Sequence, residues 1–348
     1  MKYWRMGLLA ILLGATGWAG ASWAQSGGGN AGTKQVVKVG VTGRPDQAGL
    51  VLALQRGYWA KQGLDVQFIQ SGAAAQDATS ALAANQIQVT AGSPSAGLFN
   101  ALNRGIDIRM VADWSHIGTA EDSTFSISVR SDLIDSGAVK SPADLKGRTI
   151  GAGPVKGGIN DLFLSLVMAK GNLSPSEINA EFIPFPDGIA AMASKKLDAA
   201  MLIEPMVTEA ATLGIAKMFI TMGAVDPGAQ VAIVFYSPDF AADNDAATKF
   251  MIGYLQGVRD YHDAFVEHKG QDDAIGILTQ NLSLKDPNVW KNSKPGNVDL
   301  NGKFNVASIK KQAAFYKQEG LIDGPIPDVD KYVDTSFTDA AVKVLGAR

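Results

Sequence analysis

The chain has 348 residues, 46 % of them apolar, with 31 basic and 34 acidic side chains, a formal charge of −3 and no cysteine. The lack of cysteine excludes a disulfide framework, a thiol nucleophile and a lipid-modified N-terminal Cys. A mildly acidic chain without basic clusters argues against nucleic acid as a partner.

Lys2 and Arg5 form a basic start, Gly7 to Ala21 is apolar and uncharged, and Ser22-Trp23-Ala24 places small residues at −3 and −1 of a cleavage point before Gln25. As a membrane span the run is short and glycine-interrupted, and no basic stop-transfer cluster follows. Residues 1–24 are therefore expected to be a cleaved signal peptide and the mature protein to be periplasmic. Cleavage leaves 324 residues with a formal charge of −5, a length that suggests about two domains. Residues 25–34, which include SGGGNAGT, have little to bury and read as a flexible leader.

From Val36 on, short apolar runs alternate with helical patterns, the signature of α/β units with mainly parallel strands. VVKVGV (Val36–Val41) is a buried-type strand ending in the turn TGRPDQAG. A helix with Leu50, Leu54 and Tyr58 spaced by four leads to the strand GLDVQFI. DATSALAANQ is a helix, and IQVTAG and IDIRMVADW are strands. The plan then repeats: GRTIGAG is a strand, GINDLFLSLVMAKG a helix, AEFIPF a strand, GIAAMASKKL a helix and DAAMLIEP a strand. Ser174-Pro175-x-Glu177 carries an N-cap, a first-turn proline and a capping-box Glu. Gly40 and Gly151 close the first strand of each stretch, and Pro94 and Pro205 follow the third; both pairs are 111 residues apart. Two similar βαβαβ lobes are expected. TFSISVRS (Thr124–Ser131) and VAIVFYS (Val231–Ser237) are the strand-type runs where the chain crosses between them, giving one lobe from 35–124 with 238–348 and a second from 125–237. Phe250, Tyr254, Val258, Tyr261 and Phe265 draw one apolar helical stripe, expected to pack on the first lobe.

TIGAGPVKGGIND (Thr149–Asp161) has the look of a phosphate cradle, but its glycines are one residue too widely spaced for a dinucleotide fingerprint, and Lys156 precedes the Gly157-Gly158 pair with no Ser or Thr after it. What remains is a strand-to-helix turn whose backbone N–H groups and helix dipole suit a small anion. In open α/β sheets ligands sit beyond the carboxyl ends of the strands. Thr42, Gly43 and Ser93 would then face the cleft from one lobe, and Gly153 to Asn160 with Glu204 from the other.

In these residues the chain resembles the periplasmic solute-binding proteins of ABC importers, in the nitrate/sulfonate/taurine branch that includes pyrimidine-precursor binders. The resemblance runs from about Val36 to Leu345 and rests on LALQRGYWAKQGLDV, ALAANQIQVTAGSP, SPADLKGRTIG and KKLDAAMLIEP. It departs where Asn85 stands for a usual Gly and Gln88 for a usual Asp. None of these motifs is a catalytic signature. The resemblance implies a two-lobed periplasmic-binding-protein fold, type II-like, with a two-strand hinge. It implies capture of a small anionic or zwitterionic organic solute, with ABC permease subunits as partners, no cofactor and a monomeric state. Carried onto matching positions, its ligand-contacting loops are Thr42 to Gln47, Ser93 and Ser95, Lys156 to Asn160, and Glu204. In the amino-sulfonate binders an acidic residue near Glu204 meets the ligand ammonium.

Each candidate has a structural alternative. Lys156 adds charge or lies in solvent; Gly157 and Gly158 capture an anion or make an ordinary turn, with Asn160 a candidate helix N-cap. Ser93 and Ser95 donate to ligand oxygens or start a helix. Glu204 ends an apolar strand and requires either a cationic ligand group or a protein donor. Trp114 and His116, at the end of IDIRMVADW, wall the ligand or pack; Tyr58 and Trp59 belong to the core. The three histidines, His116, His262 and His268, form no metal or catalytic pattern with the carboxylates, so no metal and no catalytic residue is expected. The alternative reading is an intracellular enzyme on the same scaffold, of the thiamine-pyrimidine or menaquinone biosynthesis type, which a signal peptide opposes.

Overall fold

The computed structural model describes residues 34–70, 75–154 and 156–348. The expected signal peptide and the leader up to residue 33 lie outside them. Ten strands are present among the described residues: β1 (Gln35–Val41), β2 (Leu64–Gln70), β3 (Val89–Gly92), β4 (Arg109–His116), β5 (Phe125–Arg130), β6 (Thr149–Gly151), β7 (Asn179–Glu181), β8 (Ala199–Ile203), β9 (Ala216–Thr221) and β10 (Gln230–Tyr236). They form two five-stranded sheets, in the orders β2-β1-β3-β10-β4 and β7-β6-β8-β5-β9. Each sheet is parallel except for its fourth strand. β10 runs antiparallel to β3 and β4, and β5 runs antiparallel to β8 and β9.

The repeat anticipated from the glycine and proline landmarks is present in the hydrogen bonding. In the first sheet the Gln88 amide oxygen accepts the Lys38 N–H at 2.9 Å, while the Gln88 N–H donates back to the Lys38 carbonyl at 2.8 Å. In the second, the Asp198 carboxylate accepts the Thr149 N–H at 3.1 Å, and the Asp198 N–H donates to the Thr149 carbonyl at 2.9 Å. Gln88 therefore does the work of the usual Asp with a neutral acceptor. Asn85 is just as well placed: its φ of 51° is left-handed, the region that favours Gly and that Asn tolerates. The paired glycines are equally explicable, since a Cβ on Gly40 would lie 2.8 Å from Ile87 Cδ1 and one on Gly151 3.0 Å from Leu197 Cδ1.

TFSISVRS and VAIVFYS lie one in each sheet rather than spanning the gap: the first is β5, wholly in the second sheet, and the second is β10, wholly in the first. The chain crosses instead at 117–124 and 222–229. These segments run side by side, with the Ile117 N–H donating to the Ala229 carbonyl at 2.8 Å and the Gly228 N–H to the Gly118 carbonyl at 3.0 Å.

Two elements differ from the periodicity reading. The first helix stops at Gln55 because Gly57 turns left-handed at φ 68°, so Tyr58–Lys61 is a separate short helix. AEFIPF is strand only to Glu181; Pro184 and Pro186 have no N–H for a ladder, and Phe185–Ala193 is already helix. The Ser174–Glu177 capping box forms as expected. Among the described residues no helix is long and apolar enough to cross a membrane.

The long helix Asn244–Phe265 lays its stripe on the first sheet and on the helix Ala48–Gln55. Trp59 is buried there, stacked on Phe250 at 4.9 Å with its indole N–H donating to the Phe250 carbonyl at 2.8 Å. The close approach depends on glycine: a Cβ at Gly257 would stand 2.2 Å from the Gly49 carbonyl oxygen. Gly257→Ala should therefore destabilise the protein by about 1–3 kcal/mol. Gly276→Ala, at an exposed helical position where an added Cβ meets nothing within 4 Å, should stabilise it by about 0.4–1 kcal/mol. Paired thermal melts of the two variants check both signs.

Candidate ligand-binding cleft

The carboxyl ends of β1, β3, β6 and β8 face one another across a cleft of about 230 Å³. The lobes touch over its rim. The Ala96 N–H donates to the Gly157 carbonyl at 2.9 Å, and the Ile159 N–H reaches Ser93 Oγ at 3.4 Å. Of the twelve candidate residues, nine line the cleft: Thr42, Gln47, Ser93, Ser95, Trp114, His116, Gly158, Asn160 and Glu204. Gly43, Lys156 and Gly157 do not.

After β1 the chain turns back on itself and Gln47 holds the turn. Its Oε1 accepts the N–H groups of Thr42 and Gly43 at 3.1 and 2.8 Å. Gly43, at φ 71°, serves the turn rather than a ligand. This fixes the buried Gln47 amide so that Nε2 has no protein partner among the described residues, and Thr42 Oγ1 is likewise unpartnered. Arg44 and Asp46, within the Thr42–Gln47 loop, also line the cleft and form a two-bond pair at 2.7 and 3.1 Å. Burial alone would raise the Asp46 carboxyl; Arg44, helped by the Trp114 indole, outweighs it and holds the group below the ordinary carboxylate range.

The glycine-rich turn contributes less than its sequence suggests. Asp161, in the first turn of the helix Ile159–Lys170, accepts the Gly157 N–H at 2.6 Å, so that donor is already spent. Lys156 is exposed and is not part of the lining. Gly158, not Asn160, takes the N-cap position. Asn160 is instead buried in the cleft wall, and its side-chain amide makes no hydrogen bond to the described protein. Ser95 spends a lone pair capping the helix Ala96–Asn103 through the Leu98 N–H at 3.3 Å, which leaves its proton free to donate.

Trp114 lies nearly parallel to Tyr254 with ring centres 6.1 Å apart, so packing and lining coincide. His116 Nδ1 is 2.7 Å from an oxygen of Asp113, which is completely buried in β4. Burial opposes charge on the imidazole, but Asp113, with Asp299 and Asp122 beyond it, raises its pKa above the ordinary histidine value. Glu204 finds protein donors: Thr208 gives its N–H and hydroxyl at 3.1 and 2.9 Å. Burial raises its pKa, with Thr208 and Lys294 acting in the opposite direction.

The remaining wall is apolar, with Phe125 and Phe185 edge-on to each other at 6.5 Å and Ile159, Ile203 and Val231 beside them. Gly296 and Asn297 close one end; Asn297 ties the end of β4 to the crossing segment by accepting the His116 N–H at 3.2 Å and donating to Asp122 at 2.6 Å. A smaller chamber of about 90 Å³, lined by Trp114, Tyr254, Tyr261, Phe265 and Trp290, adjoins the cleft. A single signal marked Asp113 in the sequence: a lone acid inside the apolar run MVADW. Nothing local marked Asn297, which comes from the far end of the chain. Away from the cleft, His262, Asp263 and Glu267 bring potential metal-ligand atoms within 4.8 Å of one another, but Arg348 and Lys269 pair with those carboxylates.

Because Ser95 caps a helix, Ser95→Ala should cost about 1 kcal/mol of stability, read as a lower melting temperature. Lys156→Ala, exposed and outside the lining, should leave the melt unchanged within about 0.5 kcal/mol.

Comparison with solved structures places this architecture among the periplasmic binding proteins. The alkanesulfonate-binding protein SsuA from Xanthomonas axonopodis pv. citri, bound to MOPS, superposes with a TM-score of 0.67 at 20 % identity, over 86 % of this chain and 98 % of that one. The periplasmic aliphatic sulphonate binding protein SsuA from Escherichia coli gives 0.68 at 15 % identity, over 86 % and 92 %. The periplasmic nitrate-binding protein NrtA from Synechocystis PCC 6803 gives 0.70 at 15 % identity, over 90 % and 89 %. Comparison with curated protein sequences finds no match. The family model described as NMT1/THI5 like matches residues 44–264, more than half of the chain and nearly all of the segment that builds the two sheets and their cleft, so this protein belongs to the NMT1/THI5-like family and has the periplasmic-binding-protein fold.

Proposed function

We propose that this chain is the periplasmic solute-binding component of an ABC import system. It holds a small organic anion with an apolar body, a sulfonate or aromatic acid, between its lobes and delivers it to membrane permease subunits. The observation that carries this reading is a set of unpartnered amide donors in an apolar cleft: Gln47 Nε2 and the Asn160 side chain face space walled by Trp114, Phe125 and Phe185. Donors without protein partners in a desolvated wall are worth most when an anionic oxygen completes them. The volume supports an organic solute. A cavity of roughly 150 Å³ holds benzene, so nitrate or bicarbonate would leave most of about 230 Å³ unfilled. Glu204 is satisfied by Thr208, so a ligand ammonium is not required to keep it buried.

The crossing segments 117–124 and 222–229 are the proposed hinge, with the lobes taken as 35–124 plus 238–348 and 125–237, except that β10 belongs to the first sheet. A solute touching both lobes favours the closed arrangement by its differential contacts. Micromolar capture needs roughly −8 kcal/mol, within reach of a few charge-assisted bonds and one buried apolar body. The sulfonate- and nitrate-binding relatives support this class, and the signal-peptide pattern of residues 1–24 supports export.

A thermal-shift screen of ligand-free mature protein tests the reading with taurine, alkyl and aromatic sulfonates, aromatic carboxylates, nitrate, bicarbonate and an aminopyrimidine. A ligand at one hundred times its Kd adds about 2.7 kcal/mol. Sulfonates or aromatic acids should shift the melt, and nitrate and bicarbonate should not. A response to the aminopyrimidine alone would transfer the protein to the pyrimidine class, and silence from every acid would refute the proposal. With the best ligand, Asn160→Leu and Gln47→Leu should each weaken binding about tenfold or more, since a hydrogen bond to a charged group contributes about 1.5–3 kcal/mol. Gly158→Val should weaken it without unfolding the protein, and Lys156→Ala should not change it; calorimetry reads all four.

A further inference from the structure

We propose that His116 is the cationic donor to the anionic group of the solute, acting through Nε2, and that it takes up one proton from solvent as the anion binds, with Asp113 as the residue that positions it; this rests on the organic-anion reading above. The argument begins at Asp113, whose burial is complete. One oxygen accepts from Gln230 Nε2 at 2.6 Å, and the other from the Asp299 N–H at 2.7 Å. The Gln230 amide cannot be the other way round. Its Nε2 also faces the carbonyls of Ser115 and Ala232 at 3.0 and 2.8 Å, while its Oε1 takes the Asn305 N–H at 2.8 Å.

With two fixed donors already aimed at it, the Asp113 carboxylate acts toward His116 as an acceptor, so Nδ1, at 2.7 Å, carries the proton. Neutral His116 therefore presents a bare Nε2 lone pair, and Nε2 has no protein partner among the described residues of the cleft it lines. An anionic oxygen placed against a lone pair is repelled. Against an N–H⁺ it gains a charge-assisted bond. Anion binding and protonation of Nε2 are thus one linked event: the proton leaves the buffer acid, bonds to Nε2 and stays while the anion stays.

The surroundings favour that charge. Asp113 on the same strand, Asp122 in the crossing segment and Asp299 after the helix Pro287–Asn292 all support the imidazolium. Arg44 and Asp46, from the loop after β1, line the same cleft as an ion pair, and Glu204 lines it from the other lobe. The direction follows. Below the pKa of His116 in the free protein the proton is already in place and affinity is flat with pH. Above it, affinity should fall by about tenfold per pH unit as the proton must be drawn from solvent.

Benzenesulfonate is the probe, because its own charge is constant across the range, with benzenesulfonamide as the neutral control. Calorimetry at pH 8 in buffers of different ionisation enthalpy should show net proton uptake, approaching one, with the sulfonate and none with the sulfonamide. His116→Lys should retain sulfonate binding and lose both the uptake and the pH slope. Asp113→Asn should move the midpoint of the sulfonate pH profile downward, a shift that a purely structural role would not produce. Nitrogen NMR of the unliganded protein gives a reading independent of any ligand: neutral His116 should carry its proton on Nδ1. Tight sulfonate binding without proton uptake, or a neutral Nε2–H tautomer, overturns this proposal and leaves the importer reading intact. Failure of every organic acid to bind overturns both.

Discussion

The first sheet is completed by a strand that the chain brings back after it has built the second. β5 enters the second sheet only after the chain has built four strands of the first, and β10 returns to the first only after the second is finished. Both are inserted at the fourth position between parallel and edge strands, antiparallel to both neighbours. The first sheet is not whole without β10, which returns only after the five consecutive strands of the second, so a second crossing follows from sheet completion itself. That constraint holds the carboxyl ends of both sheets against one cleft, and everything the cleft does depends on it.

Within the cleft, polar bookkeeping separates scaffold from site. Asp46 is met by Arg44, Glu204 by Thr208, Asp161 by the Gly157 N–H, and Asp113 by Gln230, Asp299 and His116. The two carboxylates that line the cleft, Asp46 and Glu204, thus have their donors in the protein, as burial of charge demands. The groups left over include several donors: the Gln47 and Asn160 amide nitrogens, the Ser95 proton and the Arg44 nitrogen not turned toward Asp46. Free donors in an apolar enclosure are what the proposed preference for anions rests on, and no single basic residue announces them.

The legibility of the chain follows the range of the interactions involved. Strand and helix existence came through because they are local: alternating apolar runs, the Ser174–Glu177 capping box and the stripe from Phe250 to Phe265 act over a few residues. The two departures were also local but needed backbone detail, the left-handed Gly57 and the N–H-free Pro184 and Pro186. The internal repeat was visible in Gly40 and Gly151 and became physical in Gln88 and Asp198, which make the same contact with different chemistry. Cleft-lining residues at strand ends, such as Thr42, Ser93 and Glu204, were anticipated from the rule that ligands of open α/β sheets sit beyond the strands' carboxyl ends. The importance given to Lys156 and Gly157 was not upheld by the geometry, because an acid four residues on had already claimed the turn's N–H.

By itself the sequence determined the α/β class, the duplicated plan, the absence of thiol chemistry and the ends of the strands where a ligand belongs. These depend on composition and on periodicities of two and 3.6 residues, which short stretches carry whole. Only the tertiary structure decided which polar groups are spent and which are free. Gln230 reaches Asp113 across 117 residues, Asp299 across 186, and Asn297 comes to Asp122 across 175. A hydrogen bond between such distant partners leaves no periodic trace in the chain, because its energy depends on a distance that folding alone sets.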